Sequence, residues 1–175
     1  MVETLSLIRK LSTMLIGIDT SVVVGLSDSR DHWHPAATSL QEALTAAGLE
    51  PVYFDCTLAE AVSTLTRRLR EKRREGELPD LLDHLSTTFP GEILTWILPD
   101  VPRLYSQVMD LIRSSEGELN FNDSLIALAC RERQIEVLAS FDRDFDRISW
   151  LKRVAILEDV TALFTVIDEP PAGQE

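Results

Sequence analysis

Short apolar segments alternate along the chain with longer segments whose apolar residues recur at helical spacing. The short segments lie at residues 14–18, 51–54, 93–98, 137–140 and 154–157, and their length and composition are typical of buried strands. Helical spacing is found at residues 35–47, 57–75, 78–85, 101–113 and 122–133. Strands that alternate with helices predict βαβ units, and therefore an α/β fold with a parallel sheet and helices on both faces.

The two ends of the chain depart from this alternation. Residues 168–175 (DEPPAGQE) are polar and rich in proline, as is typical of a loose tail. We therefore divide the chain into an N-terminal extension (1–13), one domain (14–160) and a C-terminal tail (161–175). Because Met14 begins strand-like sequence, residues 1–13 are either a short amphipathic helix or the result of a start placed too early.

The overall composition is that of a globular protein, with 45% apolar and 26% charged residues. No apolar run approaches the roughly 18 residues of a membrane-spanning helix, and the first residues lack the apolar core of a signal peptide. We therefore expect a cytoplasmic protein with no membrane contact. Cys56 and Cys130 lie in apolar surroundings without C-x-x-C spacing, which predicts buried thiols rather than a disulfide or a zinc site.

The net charge of -12 limits how the protein could bind nucleic acid. Negative charge spread evenly over the surface would repel phosphates. A nucleic-acid function therefore requires divalent cations that neutralise a carboxylate cluster, or a local basic patch. The acidity could also serve only to keep the protein soluble.

Four acidic residues lie where a parallel sheet would bring them together. Asp19 and Asp142 follow the first and fourth predicted strands, and Glu60 and Asp123 lie in the first turns of predicted helices. Ligands of such sheets bind beyond the carboxyl ends of the strands. Carboxylates held close together repel each other until one is protonated or a cation binds. Hard cations such as Mg²⁺ or Mn²⁺ prefer these oxygen ligands.

Two of these acids have structural explanations that involve their neighbours. Asp19 could cap the helix that follows it, although Thr20 or Ser21 would serve equally well. Thr57 and Glu60 have the spacing of a capping box, in which each side chain bonds to the backbone of the other residue. This alternative makes Glu60 the weakest member of the set.

The other two acids also have structural alternatives. Asp123 would interact favourably with the dipole of the helix it begins, with Asn120 or Asn122 as the cap. Asp142 and the nearby Asp144 could belong to a solvated turn. Each explanation is sufficient for one residue, but none explains why all four acids fall at one predicted edge of the sheet.

Several motifs together resemble the PIN-domain nucleases, and in particular the VapC-like toxin ribonucleases. The matching segments are IGIDTS at 16–21, the helix start from Thr57 to Glu60, NFNDSLIALAC at 120–130 and LASFDRDF at 138–145. The resemblance runs from about residue 14 to residue 157. It implies a Rossmann-like three-layer fold with a five-stranded parallel sheet in the order 3-2-1-4-5.

The resemblance also implies a chemistry, namely cleavage of single-stranded RNA or exposed loops with Mg²⁺ or Mn²⁺. It assigns catalysis and metal binding to four acids, adds an optional fifth ligand, and gives three polar residues supporting roles. The four acids are Asp19, Glu60, Asp123 and Asp142, the fifth ligand is Asp144, and the supporting residues are Ser21, Ser140 and Asn120. The cation would lower the pKa of a water that attacks the phosphodiester in line. No His or Lys lies in the motifs to act as the base.

We therefore expect a metal-dependent endoribonuclease, the toxin of a type II toxin–antitoxin pair. The resemblance further suggests a homodimer and a small antitoxin that blocks the acidic cleft. One alternative is a PIN-like module that binds RNA or protein with little or no nuclease activity. Another is a phosphohydrolase with Asp19 as nucleophile, but Ser21 stands where that chemistry usually has a second acid.

Three other features receive structural interpretations. The basic run at 67–74 (RRLREKRR) spreads around its helix and is expected to be a solvated surface. Trp33, between His32 and His34, is expected to pack at the surface, and Trp96 is expected in the core. The sequence contains no G-x-G-x-x-G or Walker motif, which argues against dinucleotide or nucleoside triphosphate binding.

Overall fold

A five-stranded parallel sheet in the order β3-β2-β1-β4-β5 forms the centre of the protein. The computed structural model describes residues 14–165, so the extension at 1–13 and residues 166–175 of the tail lie outside the described part. The strands are β1 (Leu15–Ile18), β2 (Glu50–Phe54), β3 (Leu94–Thr95), β4 (Val137–Ala139) and β5 (Lys152–Val154). All four neighbouring pairs are parallel. The predicted α/β fold and strand order are confirmed.

Helices cover both faces of this sheet, as predicted. They are α1 (Thr20–Ser27), α2 (His34–Ala46), α3 (Asp55–Glu71), α4 (Leu78–Thr88), α5 (Val101–Ser114), α6 (Phe121–Glu132) and α7 (Leu157–Thr165). No helix within residues 14–165 is long and apolar enough to span a bilayer.

Alternating strand residues divide the core into two layers. Ile16 and Ile18 of β1 pack on one face with α1, α2, α3, α4 and α7, whereas Phe54 and Leu138 pack on the other face with α5 and α6. At Gly17 a Cβ would lie 3.0 Å from the sulfur of Cys130. Helix α6 therefore packs directly on β1, which brings its first turn to the carboxyl edge of the sheet.

Both cysteines are buried and free, as predicted. Burial raises the pKa of the Cys56 and Cys130 thiols to about 12. Neither thiol is therefore ionised near neutral pH, which fits the expectation of small apolar side chains and removes them as nucleophiles.

The strand expected at 154–157 was placed too late. Residues 152–154 pair with β4, and Leu157 already begins α7. The helix starts there because the Asp159 carboxylate accepts hydrogen bonds from the backbone N–H groups of Ala155 (2.8 Å) and Ile156 (3.2 Å). Helix α7 continues past residue 160, where we drew the end of the domain, and Leu163 is buried in the core.

The prediction that Trp96 lies in the core is wrong, because its side chain is 60% exposed. Strand β3 has only two residues, so the apolar run at 93–98 does not continue as a strand. Ile97 is the buried residue there. The chain turns because Asp55 accepts hydrogen bonds from the backbone N–H groups of Ile97 (2.9 Å) and Leu98 (3.0 Å).

Asp55 is a buried carboxylate that sequence analysis overlooked, and it joins the end of β2 to the segment after β3. Replacing Asp55 with Ala leaves the N–H groups of Ile97 and Leu98 without an acceptor, at a cost of about 2–3 kcal/mol. We expect urea and thermal unfolding to show this loss. Asp55→Asn keeps one acceptor oxygen and should lose clearly less, and equal losses in both variants would contradict the assignment.

Candidate active site

A cleft of about 190 Å³ opens at the carboxyl edge of the sheet, and all four predicted acids line it. They come from four places in the chain. Asp19 follows β1, Glu60 lies in α3, Asp123 lies in the first turn of α6 and Asp142 follows β4. The structure thus brings together residues separated by more than a hundred positions, as the topology predicts.

Asp19 is both a helix cap and a wall of the cleft. Its Oδ2 accepts hydrogen bonds from the Ser21 backbone N–H (3.1 Å), the Ser21 hydroxyl (2.7 Å) and the Ser140 hydroxyl (2.8 Å). These three hydrogen bonds all end on Oδ2, and the Thr20 backbone N–H also stabilises the charged carboxylate. Burial raises the pKa of the Asp19 carboxyl, and the bonds from Ser21 and Ser140 oppose that rise. The same carboxylate therefore caps α1 and lines the cleft.

Ser21 and Ser140 connect the ends of β1 and β4. Besides donating to Asp19, the Ser140 hydroxyl accepts from the Asp142 N–H (3.0 Å), and the Ser21 hydroxyl accepts from the Phe141 N–H (3.0 Å). Each hydroxyl therefore uses its hydrogen for Asp19 and its oxygen for the segment after β4. These bonds fix the position of Asp142 relative to Asp19, and the supporting role of both serines in catalysis stays a prediction.

The capping box, which was the structural alternative for Thr57 and Glu60, does not form. Helix α3 begins at Asp55, so Thr57 is already inside the helix and its buried hydroxyl has no hydrogen-bond partner among the described residues. The Glu60 Oε2 accepts instead from the Thr20 hydroxyl (3.0 Å) and the Asn122 side-chain amide (3.3 Å). Glu60 is thereby freed from a backbone role and fixed in the cleft.

Thr20 and Asn122 are site residues that sequence reasoning did not assign. Each lies next to a predicted acid, Thr20 after Asp19 and Asn122 before Asp123. Their position next to these acids was the only feature of the sequence that could have indicated a role in the site. Their common acceptor on α3 depends on how the helices pack, which local sequence does not determine.

Because Glu60 does not cap a helix, changing it should affect activity more than stability. We expect Glu60→Gln to shift the unfolding midpoint by less than about 1 °C, since the amide oxygen still accepts from Thr20 and Asn122. Catalytic activity should fall by roughly ten- to a hundredfold, the range found when a group supporting a metal site is lost. Differential scanning fluorimetry and initial rates measure the two effects. Glu42→Gln, an exposed change on α2, should alter neither, and a large midpoint shift for Glu60→Gln would contradict this view.

Asp123 shares a capping box with Asn120, one of the two predicted caps. The Asp123 backbone N–H donates to Asn120 Oδ1 (3.0 Å), and the Asn120 N–H donates to Asp123 Oδ2 (2.8 Å). Burial raises the pKa of the Asp123 carboxyl to about 7, and the charges of Asp19, Glu60 and Asp142 contribute to the rise. The four carboxylates therefore interact electrostatically, as expected for a cluster that attracts cations.

Asp142 accepts a hydrogen bond from the Asp144 backbone N–H (2.9 Å) and caps the short 3₁₀ helix Arg143–Arg147. Asp144, predicted as an optional fifth ligand, is not among the residues that line the cleft. Desolvation and the nearby Asp142 raise the pKa of the Asp144 carboxyl. Its metal-binding role stays a prediction.

Arg68 and Trp33 also line the cleft, together with Val24 and Thr64. The Arg68 guanidinium pairs with Asp31, whose side chain is only 3% exposed. Arg74 pairs with Asp28 at 2.9 Å, so the prediction of a fully solvated basic run is wrong for these two arginines. Trp33 packs at the surface as expected, with its ring stacked on Phe141 at 4.7 Å.

The donor set of the cleft fits a hard, hydrated divalent cation. The acids present only oxygen atoms, and burial together with the neighbouring carboxylates raises the pKa of Asp123. Within residues 14–165 no three acidic, histidine or cysteine side chains are arranged to hold an ion together as they stand. Mg²⁺ requires fewer than three protein ligands, because it is commonly bound by one or two carboxylates and keeps several of its waters.

A parallel α/β domain with an acid-lined cleft at this edge is the architecture that the sequence motifs implied. The family model of the PIN domain matches residues 16–151, and this chain belongs to that family. One similar solved structure is the crystal structure of VapBC2 from Rickettsia felis bound to a DNA fragment from their promoter. The match covers 81% of this chain and 98% of that chain, with a TM-score of 0.54 and 17% identity, and it shows the shared fold. No curated protein sequence matches.

Proposed function

We propose that this protein is a divalent-metal-dependent endoribonuclease that hydrolyses RNA phosphodiester bonds with Mg²⁺ or Mn²⁺. The observation that carries the proposal is the meeting of Asp19, Glu60, Asp123 and Asp142 in one cleft. A bound divalent cation supplies two things to such a reaction, a water of lowered pKa and neutralisation of charge on the phosphate. Membership of the PIN domain family supports the same activity.

The protein's own residues would orient the reactants and accept a proton. Ser21 and Ser140 hold Oδ2 of Asp19 and so fix the orientation of this carboxylate in the cleft. The Thr20 hydroxyl and the Asn122 side-chain amide likewise donate hydrogen bonds to Oε2 of Glu60 and fix its orientation. Because no His or Lys is among the residues that line the cleft, a carboxylate is the side chain that would take the proton of the attacking water.

Cleavage of a mixed RNA pool by the pure protein tests this function. We expect cleavage with Mg²⁺ or Mn²⁺, loss of cleavage in EDTA, and recovery when the cation is restored in excess. Parallel reactions with each cation decide which one supports the faster rate. Cleavage that is unchanged in EDTA would contradict the metal-dependent mechanism.

We further propose that the protein is a VapC-like toxin that forms a homodimer and is inhibited by a small antitoxin. The support is the motif resemblance and the fold shared with a chain of the VapBC2 structure. A short adjacent reading frame with a DNA-binding pattern would identify the candidate partner. Its product should form a complex with this protein and suppress RNA cleavage, and the protein alone should elute as a dimer in size-exclusion chromatography with light scattering.

A PIN-like module that binds RNA or protein without cleavage is the second candidate. It is favoured by the absence, within residues 14–165, of three metal-binding side chains arranged around one point. Calorimetric titration with Mn²⁺ separates the candidates when it is combined with the cleavage assay. Saturable Mn²⁺ binding without cleavage of any RNA would support the module, and binding with cleavage supports the nuclease.

A further inference from the structure

A second groove of about 320 Å³ lies beside the acid-lined cleft, and Trp33 lines both. Phe141, Ala155 and Ile156 contribute apolar walls, and Arg143, Arg153 and Asp159 contribute charged side chains. Its volume is within the range of about 300–1,000 Å³ that is typical of small-ligand sites. The groove therefore continues the cleft across a shared aromatic wall.

Residues that are adjacent in the sequence line the two cavities. Phe141 directly precedes Asp142, and Arg143 directly follows it. Consecutive Cα atoms are about 3.8 Å apart. Two residues of the second groove are thus immediate neighbours of an acid of the cleft, so a ligand could occupy both cavities at once.

Trp33 is held in place as a rigid, partly exposed platform. Its ring stacks on Phe141 with an interplanar angle of 6°, and 41% of the residue remains exposed. Its backbone N–H donates to Asp31 Oδ1 at 2.9 Å. Because the buried Asp31 also pairs with Arg68, the loop that carries Trp33 is tied to α3. Little conformational entropy would then be lost when a planar ligand stacks on the ring.

The groove also contains an arginine, Arg143, outside any ion pair among residues 14–165, while its acid, Asp159, accepts hydrogen bonds from the backbone N–H groups of Ala155 and Ile156. The Arg143 side chain makes no ion pair or hydrogen bond with any residue in the described range, whereas Arg153 is occupied by Asp146 (2.8 Å) and the Ser140 carbonyl (3.1 Å). In a chain of net charge -12, an unpaired arginine beside an aromatic platform is a local site for an anion.

We propose that this groove binds the nucleotide next to the cleaved phosphate of a single-stranded RNA, with its base on Trp33 and a backbone phosphate at Arg143. Aromatic stacking combined with backbone contacts by cations is how proteins bind single strands of varied sequence. The inference rests on the proposed nuclease function and names the place where its substrate lies.

Binding of a labelled ten-nucleotide RNA pool in Mg²⁺ at 4 °C, followed by fluorescence polarisation before cleavage, tests the platform. Trp33→Ala should weaken binding roughly 5- to 150-fold, the range for loss of one stacked base. Trp33→Phe retains a ring and should recover most of the affinity. Trp96→Ala is the matched control, because Trp96 is also exposed but lines a different groove. It should bind RNA as the wild type does.

Intrinsic fluorescence reports the stacking directly. RNA should quench tryptophan emission in the wild type and in Trp96→Phe, and most of this quenching should be lost in Trp33→Phe. This readout does not depend on cleavage, and the conservative variant avoids the loss of packing expected for alanine. Undiminished quenching in Trp33→Phe would overturn the placement of the base.

The salt dependence of binding tests the phosphate contact. Arg143→Ala should reduce the slope of log affinity against log salt by about 0.7, the value for one phosphate of a single strand. Arg70→Ala removes an arginine that lines neither cavity and should leave the slope unchanged. Arg143 is exposed, so its loss should not prevent folding.

The possible outcomes separate this proposal from the nuclease function. Metal-dependent cleavage with an unchanged KM in both Trp33→Ala and Arg143→Ala would overturn the subsite and leave the nuclease intact. A wild-type protein that neither binds nor cleaves RNA would overturn both. If the two changes weaken a protein complex and leave RNA binding unaltered, the groove is a protein-binding surface and the proposal is wrong.

Discussion

Asp142→Asn should lower kcat/KM for Mg²⁺-dependent RNA cleavage by about three orders of magnitude. The substitution keeps the size of the side chain and an oxygen that can accept the Asp144 N–H, but it removes a charge from the cleft. Charge stabilisation by a bound cation contributes several kcal/mol to such reactions, and each 1.36 kcal/mol corresponds to a tenfold change in rate. Asp19→Asn should have an effect of similar size.

The controls for this experiment separate chemistry from folding. Asp83→Asn removes an exposed acid of α4 that does not line the cleft, so its activity should equal that of the wild type. Circular dichroism and the unfolding midpoint of Asp142→Asn should match those of the wild type, because Asp142 is only partly buried. Undiminished cleavage by both Asp142→Asn and Asp19→Asn would show that the cleft is not the active site.

The parts of the fold that sequence predicted are those encoded by local periodicity. Buried strands and amphipathic helices have distinct spacings of apolar residues, and right-handed crossovers place the strand ends at one edge. Asp19 and Asp142 could therefore be assigned to that edge from position alone. The order of the strands came from the family resemblance, since periodicity does not contain it.

The errors arose where distant contacts override a local pattern. Thr57 and Glu60 have the spacing of a capping box, yet Asp55 starts α3 earlier because it also binds N–H groups beyond β3. The same contact ends the apolar run at Ile97 and leaves Trp96 in solvent. The buried Asp55 carboxylate thus explains both why Thr57 does not cap α3 and why Trp96 is not in the core. Its partners beyond β3 lie more than forty positions away in the sequence.

The positions of Arg68 and Trp33 could not be predicted for a related reason. A basic run on a helix is usually solvated, and sequence gives no indication that Asp31 lies against Arg68. The pair exists because α1 and α3 pack side by side. The result, an arginine–aspartate pair at the wall of an otherwise acidic cleft, follows from helix packing that only the structure shows.

Asp123→Asn should stabilise the metal-free protein at pH 8 while removing its response to Mg²⁺. The pKa of the Asp123 carboxyl is about 7 in the folded protein, against 3.8 for an unperturbed aspartate. Between these values the folded state holds a proton that the unfolded state has lost, so stability falls as pH rises through this window. Above pH 7 the full penalty is on the order of 4 kcal/mol, and asparagine, which does not ionise, avoids it.

Thermal melts in EDTA between pH 5 and pH 8 measure this linkage. For a domain of this size, each kcal/mol shifts the midpoint by about 2–4 °C, so the variant should melt roughly 10 °C higher at pH 8. At pH 5, which already lies above the pKa of 3.8 of an unperturbed aspartate, the difference should shrink to about 3–6 °C. The unfolding midpoint of the variant should still fall somewhat as pH rises, because burial also raises the pKa of Asp19.

Mg²⁺ should raise the unfolding midpoint of the wild-type protein by binding the folded state, and it should leave the midpoint of the variant nearly unchanged. Equal Mg²⁺ stabilisation of both proteins would mean that Asp123 lies outside the cation site. The acidic cluster thus lowers the stability of the metal-free fold, and this cost makes cation binding favourable.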